Sequence, residues 1–129
     1  MRTLTRRGLD GKTVLLAEDE DIVVDVIREV VGPFVASLDI ALDGPDALAM
    51  IMRRDYDIIL LDIKMPRMNG ISLFNYVRDL KPRLLERIII ITGDAESDHV
   101  RTFIKNSGCP HLAKPFKIKD LFDAMAALG

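Results

Sequence analysis

Acidic side chains dominate two short stretches of the 129-residue sequence. Glu18, Asp19, Glu20 and Asp21 follow one apolar run, and Asp62 follows another. Clustered carboxylates repel one another and raise each other's pKa unless a cation joins them. An all-oxygen site that is open to solvent suits Mg²⁺, which binds one or two carboxylates and keeps several waters. These acids therefore predict a magnesium site.

A hydroxyl and a lysine complete the candidate site. Thr92 ends a run of isoleucines, and Lys114 follows a shorter apolar run. A carboxylate, a hard cation, a lysine and a hydroxyl together are typical of a site that transfers phosphoryl groups. Each residue alone also has an ordinary structural role, such as an acidic helix N-terminus or a solvated charge. Their joint placement favours the chemical role.

These residues stand at the ends of separate predicted strands, so a sheet has to bring them together. Short runs rich in Val and Ile alternate five times with segments of helical period. The candidate strands are Thr13–Ala17, Leu38–Ala41, Asp57–Leu61, Ile88–Thr92 and His111–Ala113. The third and fourth do not alternate with polar residues, which suits a parallel sheet covered on both faces. The pattern predicts a three-layer α/β sandwich in which the carboxyl ends of the strands line one crevice.

Composition limits the classes of protein that the chain can belong to. The net charge of −2 argues against a nucleic-acid binder that works by counterion release. No apolar run approaches the length of a membrane span, and the single Cys109 fits a reducing compartment. We therefore expect a cytoplasmic protein with neither a membrane nor a nucleic acid as partner. Residues 1–10 are predicted to be an N-terminal tail, and residues 11–129 a single domain.

Four segments of the sequence resemble the receiver domain of two-component response regulators. They are Val14–Glu20, Ile59–Gly70, Ile90–Gly93 and Leu112–Phe116. The Asp-x-x-Met-Pro-x-Met-Asn-Gly stretch that begins at Asp62 is highly specific for this family. Spacings of 43, 30 and 22 residues along Asp19, Asp62, Thr92 and Lys114 also fit it. The resemblance covers residues 11–128 and implies a flavodoxin-like fold: a five-stranded parallel sheet of order 2-1-3-4-5, flanked by five helices.

The resemblance implies a phosphorylation chemistry for three of the candidate residues. Asp62 would accept a phosphoryl group from a phosphohistidine. Lys114 would pair with that group, and Thr92 would donate a hydrogen bond to it. The peptide bond between Lys114 and Pro115 would be cis. The protein would then be a signalling switch and not an enzyme, because it would catalyse only its own phosphorylation and dephosphorylation.

The same resemblance implies how Mg²⁺ would be held. Asp19 and Asp62 would ligate the metal directly, together with the backbone carbonyl of Lys64. Glu18 would hold it through water. In the loop that follows the acceptor, Gly70 is expected to permit a left-handed turn.

Two features beside the site depart from the commoner pattern or vary within it. His111 stands where the family usually has Tyr or Phe, the side chain that forms the conformational switch together with Thr92. A histidine titrates near neutral pH, so switching would depend on pH. The alternative is a surface-facing His111 without such a role, and the sequence leaves both open. Lys64 and Asp94 carry opposite charges, and a pair between them would hinder attacking water.

The resemblance also implies partners, and it leaves some alternatives open. A sensor histidine kinase or a histidine phosphotransfer protein would donate the phosphoryl group. A downstream protein would bind the fourth helix, fifth strand and fifth helix of a monomer or of a phosphorylation-linked dimer. The chain would be a freestanding regulator, or the receiver of a hybrid kinase or multidomain regulator.

Three other classes of protein are alternatives to the receiver. The first is a phosphorylation-silent pseudo-receiver that only binds proteins. The second is a phosphohydrolase of the haloacid dehalogenase type, which would need an Asp in place of Lys64. The third is a flavin-binding module, whose phosphate the acids from Glu18 to Asp21 would repel.

Overall fold

Strands and helices alternate along residues 8–128, the part of the chain that the computed structural model describes. The strands are β1 (Thr13–Ala17), β2 (Ser37–Ala41), β3 (Ile58–Asp62), β4 (Ile88–Thr92) and β5 (His111–Ala113). The α-helices are α1 (Asp21–Val31), α2 (Gly44–Arg53), α3 (Gly70–Leu80), α4 (Asp98–Ser107) and α5 (Ile118–Leu128). Short 3₁₀ segments at Gly32–Phe34 and Pro82–Arg87 lead into β2 and β4. None of the helices described here has the length and apolar character needed to cross a bilayer.

All five strands are parallel and form one sheet in the order β2-β1-β3-β4-β5, as predicted. The register places Ala17 opposite both Ala41 and Leu61, and Asp62 opposite Ile91. The ends of β1, β3 and β4 therefore lie side by side at one edge of the sheet. The connection after β1 leads to β2 on one side, and the connection after β3 leads to β4 on the other side. α/β sheets of this kind bind ligands at the point where the two directions diverge.

Two hydrophobic clusters, one on each face of the sheet, hold the layers together. On one face α1 and α5 pack against Val14, Leu16, Leu60 and Ile89. On the other face α2, α3 and α4 pack against the alternate strand residues, which include Leu15 and Ile90. Every residue of β3 and β4 is buried because helices cover both faces. Burial of each such side chain contributes about 1.5–3 kcal/mol, so these two strands form the most strongly stabilised part of the sheet.

The described chain begins close to the core. Residues 1–7 of the predicted N-terminal tail lie outside the described residues. Leu9 is only 1% exposed and belongs to the cluster that α1 and α5 form with the sheet. Its carbonyl accepts a hydrogen bond from the N–H of Lys12, which turns the chain into β1.

Gly70 fits closely against the backbone that carries Asp62. The prediction of a left-handed turn at Gly70 is wrong, because the residue with a positive φ in this loop is Arg67, at 67°. A side-chain carbon on Gly70 would lie 2.5 Å from the Asp62 carbonyl oxygen and 2.8 Å from the Cα atom of Ile63. Gly70 N–H also donates a 2.7 Å hydrogen bond to the carbonyl of Ile63. Close packing, and not an unusual dihedral angle, is therefore what requires glycine here.

Candidate functional site

The carboxyl edge of the sheet assembles four polar residues from distant parts of the sequence. Glu18 follows β1 directly, Asp62 ends β3, Thr92 ends β4 and Lys114 follows β5. The first three are buried, with exposures of 0%, 2% and 1%. Buried polar groups of this kind need partners within the protein or a bound ion. The arrangement is thus a candidate site that neighbouring strands position rigidly.

The ammonium group of Lys114 lies among three carboxylates. Its Nζ atom donates hydrogen bonds to Oε1 of Glu20 at 2.6 Å, to Oε2 of Glu18 at 3.2 Å and to Oδ2 of Asp62 at 3.2 Å. A lysine ammonium has three protons, so these bonds use its full donor capacity. The Lys114 backbone is fixed as well, because its N–H donates to the carbonyl of Thr92 at 2.8 Å. The peptide bond between Lys114 and Pro115 is cis.

The three carboxylates form a compact acidic group. One oxygen from each of Glu18, Glu20 and Asp62 lies within 4.8 Å of the others. Burial, together with a hydrogen bond and charge repulsion from Glu18, raises the pKa of Asp62 to about 7, although Lys114 opposes this shift. Burial lowers the pKa of Lys114, but the bonds to Glu20 and Glu18 and the charge of Asp62 raise it above its usual value overall. The lysine therefore stays charged, and the Asp62 carboxyl is costly to ionise.

The chemistry of this acidic group fits a hard divalent cation. Three carboxylates face a single ammonium, which leaves negative charge uncompensated. Oε1 of Glu18 is buried and accepts no hydrogen bond from the described residues, although Nζ of Lys114 lies 2.9 Å away. A cavity of about 350 Å³ adjoins the group and is lined by Asp19, Glu20, Lys64 and Met65. Mg²⁺ prefers oxygen donors beside an open space, because it keeps several waters when it binds to a protein.

Asp19 and Glu20 are neighbours in sequence, but only Glu20 belongs to the group of three carboxylates. Asp19 is exposed and contributes to the cavity wall, and it is not one of the three clustered carboxylates. Its role as a direct ligand stays a prediction, as does that of the Lys64 carbonyl. Glu20 is one of the four acids after β1 but received no individual role from the family resemblance, yet it makes the shortest contact with Lys114. Its spacing from Glu18 indicates only that both acids face the same side of the chain, because residues two apart in extended backbone point to the same side.

The two predicted switch residues have different surroundings. The hydroxyl of Thr92 accepts a hydrogen bond from the N–H of Asp94 at 3.0 Å. His111 is exposed at the start of β5, so in this structure its side chain faces the surface, and its part in switching stays a prediction. Lys64 donates its backbone N–H to Asp62 at 3.3 Å. Among the described ion pairs there is none between Lys64 and Asp94.

Comparisons with known proteins agree with this geometry. The family model for the response regulator receiver domain matches residues 14–126. The chain is 30% identical to the transcription factor SKN7 of Candida albicans. The matched segment covers 84% of this chain and 19% of SKN7. It spans less than half the length of several curated relatives that it matches.

Solved structures give the same result. The receiver domain of the Francisella response regulator 1452 superimposes with a TM-score of 0.79 at 28% identity, covering 92% of this chain and 96% of that one. The receiver domain of sensor histidine kinase PA1611 from Pseudomonas aeruginosa PAO1 superimposes with a TM-score of 0.72 at 26% identity, covering 91% and 98%. That structure has a magnesium ion coordinated in its active site cleft.

Proposed function

The chain belongs to the response regulator receiver domain family, and from this membership we propose that Asp62 is its phosphoacceptor. It is a receiver domain of a two-component system, a phosphorylation-dependent signalling switch. The observation that carries the assignment of Asp62 is its contact with Lys114 inside a buried acidic group at the sheet edge. Lys114 is the cation best placed to neutralise charge on a group attached to Asp62.

In the proposed reaction, an oxygen of Asp62 attacks the phosphorus atom of a phosphohistidine in line with the bond to nitrogen. The new oxygen–phosphorus bond forms as the phosphorus–nitrogen bond breaks, and the bonding electron pair stays on the imidazole nitrogen. Lys114 binds an oxygen of the transferred group, and the Thr92 hydroxyl donates a hydrogen bond to another. Such transfers depend on positioning and charge stabilisation, which a rigid sheet edge provides.

Mg²⁺ is the metal that we propose for this site. Glu18, Asp19, Asp62 and the backbone carbonyl of Lys64 would hold it, directly or through water. When bound, the metal neutralises negative charge on the acceptor and on the transferred group. The uncompensated charge of the acidic group supports this assignment, as does the buried Glu18 Oε1 atom, which accepts no hydrogen bond from the described residues.

The response to phosphorylation is proposed to pass through Thr92. Its hydroxyl lies at the end of β4, next to the short edge strand β5 that begins with His111. A bond from Thr92 to the phosphoryl group would draw this end of β4 toward Asp62. We propose that α4, β5 and α5 form the surface that a downstream protein reads.

The donor is proposed to be a sensor histidine kinase or a histidine phosphotransfer protein. Because the chain matches a minor part of several longer relatives, both a freestanding regulator and a module of a larger protein remain within the proposal. A cytoplasmic location, a monomer or phosphorylation-linked dimer, and self-catalysed loss of the phosphoryl group stay predictions.

Intact-protein mass spectrometry tests the proposed acceptor directly. The protein is incubated with acetyl phosphate with and without Mg²⁺, beside the variants Asp62→Asn and Asp21→Asn. We expect wild type and Asp21→Asn to gain one phosphoryl group only with Mg²⁺, and Asp62→Asn to gain none. Asp21 is a matched control: it is one of the four acids after β1, but the structure places it exposed in the first turn of α1 and not among the three clustered carboxylates.

The bond formed in this experiment is identified by its chemistry. An aspartyl phosphate is an acyl phosphate, so hydroxylamine should remove the added mass and leave a hydroxamate at Asp62. A mass gain that persists in Asp62→Asn would show that another residue is the acceptor. No gain in folded wild-type protein that binds Mg²⁺ would favour a silent binding module.

A further inference from the structure

Glu20 has a place in the site that the phosphoacceptor chemistry does not explain. Its backbone is the N-cap of α1, but its side chain makes no capping hydrogen bond. The side chain reaches instead to Nζ of Lys114, at 2.6 Å, which is the shortest of the contacts that this ammonium makes. Glu is also a poor N-cap compared with Ser, Thr, Asp or Asn. Its residue type is therefore suited to reaching Lys114 and not to starting the helix.

Glu20 is also the carboxylate that can most easily leave Lys114. The side chain of Glu18 is fully buried and that of Asp62 is 2% exposed, so both would remain in the site without a partner. The Glu20 side chain is 59% exposed and can turn into water, which solvates the freed carboxylate. Since all three protons of Lys114 are engaged, an incoming anion needs one of these bonds to open.

From this we propose that Glu20 is a positioning residue that occupies the place of the phosphoryl group on Lys114 in the resting protein. Its carboxylate lies within 4.8 Å of an oxygen of Asp62, where a group transferred to Asp62 would meet Lys114. Glu20 thus keeps Lys114 at the acceptor and excludes other anions. It is displaced when the phosphoryl group arrives. This inference rests on the proposed function of Asp62.

The openings around the site are consistent with such displacement. Glu20 lines the 350 Å³ cavity beside Lys64 and also a larger apolar groove of about 450 Å³ between α1 and the segment after β5. Ile22, Val26 and Phe116 line that groove. Glu20 therefore lies in the wall of both openings, whereas a third cavity of about 330 Å³ reaches Lys114 past Gly93 and Asp94. Removal of the Glu20 charge should therefore strengthen anion binding, whereas removal of a metal ligand would weaken it.

Binding of beryllium fluoride, an anion that mimics the phosphoryl group, tests the proposal. Dissociation constants are measured by ¹⁹F NMR for wild type, Glu20→Gln, Glu20→Ala and the control Asp21→Asn, each at a Mg²⁺ concentration shown to saturate that variant. We expect about three- to tenfold tighter binding in both Glu20 variants, which is the effect of losing a competing hydrogen bond of ordinary net strength at a largely exposed side chain. Asp21→Asn should stay within about twofold of wild type. The rate of phosphorylation by acetyl phosphate should rise in parallel.

The outcomes separate this inference from the proposed function. Tighter beryllium fluoride binding is a gain that damage to the fold would not produce, so it supports the role of Glu20. Equal binding in Glu20→Gln and Asp21→Asn would overturn it, as would weaker binding in the Glu20 variants, which would make Glu20 a metal ligand. If wild type with Mg²⁺ takes up neither beryllium fluoride nor a phosphoryl group, the assignment of Asp62 itself fails.

Discussion

Asp62→Asn should make the metal-free protein more stable at neutral and alkaline pH. The physical reason is that the fold buries the Asp62 carboxyl beside Glu18, which raises its pKa from 3.8 to about 7. Because the pKa is raised, the folded state favours the protonated form, and ionisation costs stability. No cost arises below the unfolded pKa of 3.8. It grows as the pH rises and is complete above about 7.

The size of this cost follows from the shift in pKa. A rise in the pKa from 3.8 to about 7, at about 1.36 kcal/mol for each pH unit, gives an upper value of about 4 kcal/mol for the stability that ionisation of Asp62 costs. Asn has nearly the same shape and no charge to bury, so the variant should recover about 2–4 kcal/mol near pH 8. Near pH 4 the two proteins should have similar free energies of unfolding.

Urea denaturation followed by far-UV circular dichroism measures this difference. The experiment compares wild type, Asp62→Asn and the exposed-acid control Asp21→Asn in EDTA at several pH values. Added Mg²⁺ should narrow the gap, since a ligand at about 100 times its Kd adds about 2.7 kcal/mol to wild type alone. Equal stabilities near pH 8 in EDTA, or a stability difference that widens as the pH falls, would refute the reasoning that ionisation of the buried Asp62 carboxyl destabilises the fold.

Three further substitutions test other parts of the structure. Gly70→Ala should lower the free energy of unfolding by about 1–3 kcal/mol and slow phosphorylation, because the new carbon would lie 2.5 Å from the Asp62 carbonyl. Gly93→Ala, whose new carbon meets its nearest neighbour at 3.9 Å, should change stability by less than about 0.5 kcal/mol in the same denaturation assay. Tyr56→Phe removes a 2.6 Å hydrogen bond to Asp39 and should cost about 1–2 kcal/mol. Because that buried phenol has its pKa raised from 10.0 to about 12, the advantage of wild type should be complete below pH 10 and disappear by about pH 12.

The sheet was predictable because its strands are continuous apolar runs. The bounds of β1, β4 and β5 agree with the prediction, since charged or turn-forming residues flank these runs. The predicted third strand, Asp57–Leu61, begins one residue early and omits Asp62. Asp57 instead binds the start of β1: its carboxylate accepts hydrogen bonds from the N–H and hydroxyl of Thr13 at 2.8 and 3.1 Å. Such a side-chain contact across 44 residues leaves no trace in local periodicity.

The site was predictable at the level of its elements and not at the level of its contacts. Parallel strands had to bring Asp62, Thr92 and Lys114 to one edge, and the sequence motif supplied their expected roles. The contact of Glu20 with Lys114 depends on how the start of α1 faces the segment after β5, which neither segment encodes alone. The need for glycine at position 70 likewise comes from the path of the Asp62 backbone and not from its own dihedral angles.

The sheet is unequally resistant to local opening, and this bears on how a signal leaves Asp62. Strand β3 has a neighbour on each side and is buried along its whole length, so its amide protons should exchange with solvent only when the entire protein unfolds. Strand β5 has three residues, a single neighbour and exposed ends, so its amides should exchange through local fluctuations. Under the proposed function, the reacting residue therefore stands on the strand that we expect to open least. A structural change that phosphorylation causes would then be expressed mainly at β5, the edge strand that we expect to fluctuate most.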